Sequence, residues 1–266
     1  MLKNITIGQY FPGKTIIHKL DPRIKILITL LFIFSLFFID SFTPYLFVVA
    51  FILTSVGLSK VPLKFILKGL KPLLIIIMIT FLINAILTPG EVLYRLGPVK
   101  ITIEGLRQAT FMALRLIFLI VGTSLLTLTT SPISLTDGIE KLLNPFKRIG
   151  LPAHELAMMM TIALRFIPTL LEETDKIMKA QMARGADFES GNIMNRAKSL
   201  VPLLVPLFIS AFRRADELAM AMEARCYRGG DNRTRMKELS LEIRDYLALG
   251  ISFVLLGIII LFRYFI

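Results

Sequence analysis

One cysteine, Cys226, and two histidines, His18 and His154, leave this 266-residue chain short of the side chains that build most catalytic and metal sites. A lone cysteine rules out an internal disulfide and suits a reducing compartment. Two histidines argue against a histidine-based relay. His154-Glu155 opens like the zinc signature H-E-x-x-H, yet Met158 stands where the second histidine belongs. No G-x-S-x-G occurs, and no paired carboxylates fall within an apolar span. The chain does not read as an enzyme.

A nucleotide site is also excluded on context. Gly8 to Thr15, GQYFPGKT, formally satisfies the phosphate-loop pattern G-x-x-x-x-G-K-[ST]. That pattern cradles phosphate only where a buried strand leads in and a helix leads out, so that backbone N–H groups and the helix dipole converge. Seven residues precede Gly8, and the polar, proline-broken stretch His18 to Pro22 follows. No apolar strand ending in a magnesium-binding aspartate appears later. The match is a coincidence, and no cofactor is expected on this chain.

Hydrophobic residues are abundant, at 55% of the chain with a mean hydropathy of +0.72. Lipid is the comfortable solvent for much of such a sequence. Five segments are predicted to span a membrane: Ile24 to Ile39, Pro44 to Leu58, Pro72 to Leu87, Leu106 to Thr130 and Tyr246 to Ile266. Several fall short of the ~20 apolar residues that a perpendicular helix needs, so their flanks must contribute. Asp21-Pro22 and Thr43-Pro44 both read as helix starts, a capping side chain followed by proline at the first helical position. Charged residues reach to Lys25 with no small-residue cleavage site after a short apolar core, so the first span is expected to be permanent.

The formal net charge of +12 is explained by its distribution. Lys3, Lys14, Lys19, Arg23 and Lys25 precede the first span, and Lys60, Lys64, Lys68 and Lys71 lie between the second and third. The turn from Asp40 to Thr43 has no basic residue. The positive-inside rule therefore places the N-terminus in the cytoplasm, and five crossings put the C-terminus outside. Residues 132–245 then fall in the cytoplasm with 17 Lys+Arg against 15 Asp+Glu, a balance unlike a nucleic-acid-binding surface. The expected fold is an all-α integral membrane protein: residues 1–131 with four spans, a cytoplasmic helical coupling region over 132–245, and a closing transmembrane helix over 246–266. No Ser/Gly linker separates these parts.

Within the coupling region Pro152 opens a helical pattern through Leu156, Met160, Ala163, Ile167 and Leu170, expected to end at Gly185. A second helix, expected to be interrupted near Pro202 and Pro206, runs to Arg225 and stops by Gly229-Gly230. These helices carry the chain's clearest repeat, D-x-[IL]-x-x-A-x-x-A-R. Asp175, Ile177, Ala180, Ala183 and Arg184 form one copy; Asp216, Leu218, Ala221, Ala224 and Arg225 form the other, 41 residues on. One such arginine would merely complement its own helix dipole, worth about 0.3–1 kcal/mol. Two matched copies favour docking, in which exposed guanidinium forks enter grooves on a partner with two similar halves. Nine of the 12 methionines also lie between Pro132 and Asp245, where gap-filling in a helical core is the simpler reading and an adaptable surface the other. Arg115 lies inside the fourth span with no acidic partner in view, and a structural role outweighs a functional one.

The segments GQYFPGKTIIHKLDPRIK, LRFIPTLLEETDKIMKAQMARGADF and DELAMAMEARCYRGGDNRTR resemble the transmembrane T component of energy-coupling factor (ECF) type ABC transporters, in matching order over nearly the whole chain. The resemblance implies prokaryotic uptake of vitamins or related micronutrients. It also implies as partners two cytoplasmic ATP-binding-cassette subunits, which would hold the ATP, and a membrane-embedded S component that captures substrate. The family's docking motifs map onto Ala183-Arg184-Gly185 and Ala224-Arg225-Cys226. Cys226 stands where the simplest motif has glycine, which is expected to move the helix stop toward Gly229-Gly230 and leave Arg225 in register. Related T components serve nickel or cobalt importers, but the long N-terminal segment and the ARCYRGG form resemble the shared vitamin type. A self-sufficient secondary transporter is the other reading. It should show inverted repeats or broken helices at the midplane, whereas this repeat lies in the cytoplasmic region and runs in one direction.

Overall fold

The structure is a computed structural model that describes residues 10–96, 99–186, 188, 193–229 and 239–265. Lys3, Gly8, Gln9, Gly230 and Ile266 lie outside them. The described residues form two compact units. One holds those between Gly8 and Gly138 and between Glu238 and Ile266; the other holds those between Ile139 and Lys237.

The first unit is a helical bundle. After a short helix α1 (Ile16–Lys19), the Asp-Pro signal acts as its chemistry predicts. Asp21 caps α2 (Pro22–Phe37) by accepting the Arg23 amide at 2.9 Å. The Thr-Pro signal acts differently: α3 (Thr43–Ser59) already includes Thr43, Phe42 holds the cap position, and no side chain caps it. Proline's fixed φ starts this helix without a capping oxygen. The third span is longer than Pro72 to Leu87. Helix α4 (Leu63–Leu70), a 3₁₀ turn (Lys71–Leu73) and α5 (Leu74–Leu87) run on as one helical stretch that carries Lys64, Lys68 and Lys71.

Between α5 and the next helix the chain makes an antiparallel hairpin, β1 (Val92–Leu96) with β2 (Val99–Thr102), pairing Val92 with Thr102 and Leu96 with Val99. Thr102 then caps α6 (Ile103–Thr129), accepting the Gly105 amide at 3.0 Å. Gly105 is required by close approach: a Cβ there would sit 2.9 Å from the Ala85 carbonyl on α5. At 1.5 Å per residue α6 is about 40 Å long, enough to cross the hydrocarbon core.

The core of this unit gathers Leu36, Val48, Phe111, Val121, Leu128 and Ile259 from α2, α3, α6 and α10 (Ile243–Phe265). Polar contacts fix both ends. At one end the buried Asp245 carboxylate accepts the Asp21 and Glu242 amides, each at 2.8 Å. Lys25 Nζ there donates to the His18 and Thr129 carbonyls at 3.1 and 2.9 Å. At the other end Arg115 donates to the Ile39 carbonyl at 2.9 Å, its guanidinium over the Phe37 and Phe111 rings. Arg263 meets Asp40 at 3.1 Å there. Helices α2 and α10 therefore run parallel, and Arg115 ties α6 to the buried Ile39 backbone two residues past the end of α2. That is a structural role for the intramembrane charge.

The second unit contains a 3₁₀ turn (Asn144–Ile149), which follows α7 (Pro132–Leu143), and two long helices, α8 (Ala153–Ala183) and α9 (Ile193–Ala224). Among the described residues four stretches are long and apolar enough to cross a membrane: Leu63–Leu87, Ile103–Thr129, Ala153–Ala183 and Ile243–Tyr264. The α8 stretch is the least apolar of them, and α3 is a shorter apolar helix. The fold is that of an all-α membrane protein with one small hairpin.

A candidate docking site at two helix ends

Helices α8 and α9 pack antiparallel, in a register set by polar contacts. Glu173 accepts a hydrogen bond from the Ser210 hydroxyl and pairs with Arg214 at 3.1 Å. Eight residues further along α8, Gln181 donates its amide to the carbonyl of Pro202, eight residues back from Ser210 on α9, at 3.3 Å. At the start of α8, the Tyr227 hydroxyl donates to Met158 Sδ at 3.1 Å, just beyond the end of α9.

Helix α9 is not interrupted at its prolines; it runs unbroken through Pro202 and Pro206. Pro206 has no N–H to offer the carbonyl four residues earlier, which is that of Pro202. The Gln181 side chain supplies the missing donor from the neighbouring helix. The expectation of a break considered α9 alone, where that carbonyl would go unmet.

Both repeat copies end in the same backbone device. Helix α8 stops at Ala183, Gly185 takes a left-handed φ of 88°, and its amide bonds the Met182 carbonyl at 3.0 Å while Ala186 reaches back to Gln181 at 2.9 Å. Helix α9 stops at Ala224, Cys226 takes φ 55°, and its amide bonds Glu223 at 2.8 Å while Tyr227 reaches back to Met222 at 3.1 Å. These are two Schellman caps in identical register. The cysteine does not carry the helix stop to Gly229; it occupies the left-handed position itself. Hydrogen bonds to two otherwise orphaned carbonyls hold it there.

Ala183, Arg184 and Gly185, and likewise Ala224, Arg225 and Cys226, are all exposed. The antiparallel register sends the two arginines to opposite ends of the helix pair. Each lies eleven residues beyond the Glu173–Arg214 contact, so roughly 30–35 Å of helix separates them. Met159, Met160, Met182 and Met220 are about half exposed or more, which overturns core gap-filling for these four. Phe208 and Phe212 add exposed apolar area on α9.

Other chemistry is sparse. His154 Nδ1 lies 3.0 Å from Glu140, and among the described residues no group of three or more His, Cys, Asp or Glu side chains could hold a metal. In the phosphate-loop look-alike, His18 bonds the Thr15 hydroxyl at 2.7 Å and fills the space over Gly13.

Residues 13–236 match the family model described as "Cobalt transport protein". The chain is 68% identical to the energy-coupling factor transporter transmembrane protein EcfT of Thermosediminibacter oceani, over 93% of each chain. It is 64% identical to the EcfT of Clostridium kluyveri, covering 99% of this chain and 98% of that one. The chain belongs to the energy-coupling factor transporter transmembrane protein family. A further relative, EcfT of Bacillus subtilis, is 52% identical over 90% of this chain and 91% of its own. The protein is thus the energy-coupling transmembrane component of an ECF transporter, a multi-pass membrane protein and a transporter part rather than an enzyme.

Proposed function

We propose that α8 and α9 are coupling helices that transmit motion from two cytoplasmic ATP-binding-cassette subunits to a membrane-embedded S component. Ala183-Arg184-Gly185 docks in one ATPase and Ala224-Arg225-Cys226 in the other. One observation carries this reading: the same capped arginine tip occurs at both ends of an antiparallel helix pair. Two like tips on antiparallel helices are related by an approximate two-fold axis between them. A pair of similar ATPases facing each other has the same symmetry.

ATP binding draws the ATPases together and hydrolysis releases them, so the tips and the helices behind them move. The exposed methionines and phenylalanines of α8 and α9 then form a surface that repacks against the S component. Coupling requires that ATP favour one arrangement over the other, since equal affinity for both shifts nothing. ATP is held by the partners, and the S component selects the substrate, a vitamin or related micronutrient. The lysines ahead of α2 and along α4 support a cytoplasmic start for α2. The parallel run of α10 and α2 supports an outside C-terminus and a cytoplasmic position for residues 132–245.

Uptake by the assembled transporter tests this. Charge reversal at both arginines, Arg184→Glu with Arg225→Glu, abolishes uptake while membrane insertion stays at wild-type levels. Normal uptake by a well-expressed double variant would refute it.

A further inference from the structure

Helices α1, α2, α3, α6 and α10 enclose a cavity of about 710 Å³ in the first unit. Its walls are apolar, with Ile28, Phe32, Phe51, Leu125 and Leu126 in the lumen. Gly122 lets the Phe32 ring lie against α6, 2.5 Å from the position a Cβ would take, and a side chain there would push the ring toward the lumen. Ile16, Leu58, Leu247 and Ile251 line the cavity and are also more than half exposed, so it opens sideways between helices.

Lys25 and Arg244 are the charged side chains that line it, both basic, and both sit at the end where α2 and α10 begin. From Lys25 to Phe32 the apolar wall runs about 10 Å along α2. Two of the three Lys25 N–H donors go to the His18 and Thr129 carbonyls. Arg244 gives one N–H to Glu242 at 2.7 Å, while its buried Nε has no hydrogen-bond partner among the described residues. A buried donor left unmet is costly, and an incoming oxygen would satisfy it.

We propose that this cavity binds an anionic phospholipid, with an acyl chain in the lumen and the phosphate against Arg244 and Lys25. The ligand must be amphipathic: a free anion would leave the lumen empty, and an uncharged apolar molecule would leave Arg244 Nε unmet. The lateral opening is the route by which a chain enters from the bilayer. Basic pockets between membrane helices hold anionic headgroups by the same electrostatics.

The test uses the full-length protein, stripped of lipid in a nonionic detergent. Thermal unfolding and native mass spectrometry are run with phosphatidylglycerol, with phosphatidylcholine of the same chains, and with inorganic phosphate. Phosphatidylglycerol is expected to raise the midpoint and be retained at one molecule per chain, phosphatidylcholine to bind about tenfold more weakly, and phosphate to do nothing. Arg244→Gln should remove the preference for phosphatidylglycerol, and Ala248→Phe, which fills the lumen, should remove retention of both lipids. The wild-type series decides alone if Ala248→Phe does not insert. Equal shifts from the two lipids, a shift from phosphate matching that from phosphatidylglycerol, or a headgroup preference unchanged in Arg244→Gln would overturn the proposal.

Discussion

Glu173 and Arg214 pair at 3.1 Å where α8 meets α9, and they are equivalent positions of the 41-residue repeat. Arg214 stands to Arg225 as Glu173 stands to Arg184. The two repeat copies therefore touch at the same point of each, and each arginine projects the same length of helix beyond it. An approximate two-fold axis passes through this ion pair.

The contact is partly solvated, with Arg214 at 38% and Glu173 at 23% side-chain exposure, so its coupling energy is modest, about 0.2–1 kcal/mol in a double-mutant cycle. The Glu173 carboxyl lies in the polar C-terminal part of α8, in the run Glu172-Glu173-Thr174-Asp175-Lys176. It is held below its ordinary value of 4.5, first by the Ser210 hydroxyl and then by Arg214. A depressed carboxylate contributes its full stability above that ordinary value and loses it as pH falls through the lower, folded value. The stability gap between wild type and Glu173→Gln, followed by thermal unfolding, should be constant from pH 7 to about pH 5 and shrink below 4.5. A gap that widens on acidification would contradict the assignment.

Gly185 and Cys226 make the same turn at different conformational cost. A non-glycine residue in the left-handed region costs about 1–2 kcal/mol. Cys226→Gly is expected to hold or raise the unfolding midpoint and to leave uptake intact, whereas Gly185→Val lowers the midpoint and weakens partner binding. Measuring both midpoints in the same detergent checks this. A loss of stability in Cys226→Gly would show that the thiol, not the turn, is what the position needs.

Arg115 supplies the hydrogen-bond donor for the buried Ile39 carbonyl just past the end of α2. Arg115→Ala leaves the Ile39 carbonyl unmet and removes packing on Phe37 and Phe111, for a loss of about 1–3 kcal/mol. Arg115→Lys should recover part of it. Transport per folded molecule should be unchanged in both variants, and a selective loss of transport at normal stability would assign Arg115 a functional role instead.

Local chemistry made much of this fold legible. The Asp21-Pro22 start, the Gly185 stop, the long α6 and the repeated arginine tips follow from side chains acting on their own segments. The departures arise where a neighbour decides. Helix α9 passes two prolines because Gln181 reaches across from α8. Cys226 takes a left-handed φ because the same cap bonds form around it as around Gly185. Arg115 needs no acid because the Ile39 backbone supplies the carbonyl. The hairpin has its own local signal, since VLYRL and VKIT flank the turn-forming pair Gly97-Pro98.

The most direct measurement is affinity purification of the wild-type protein and of the Arg184→Glu/Arg225→Glu variant from native membranes, with mass spectrometry of co-eluting chains. ATP-binding-cassette subunits should co-elute with wild type and be lost from a variant that still inserts normally. Their undiminished co-elution with the variant would contradict docking through these two arginines.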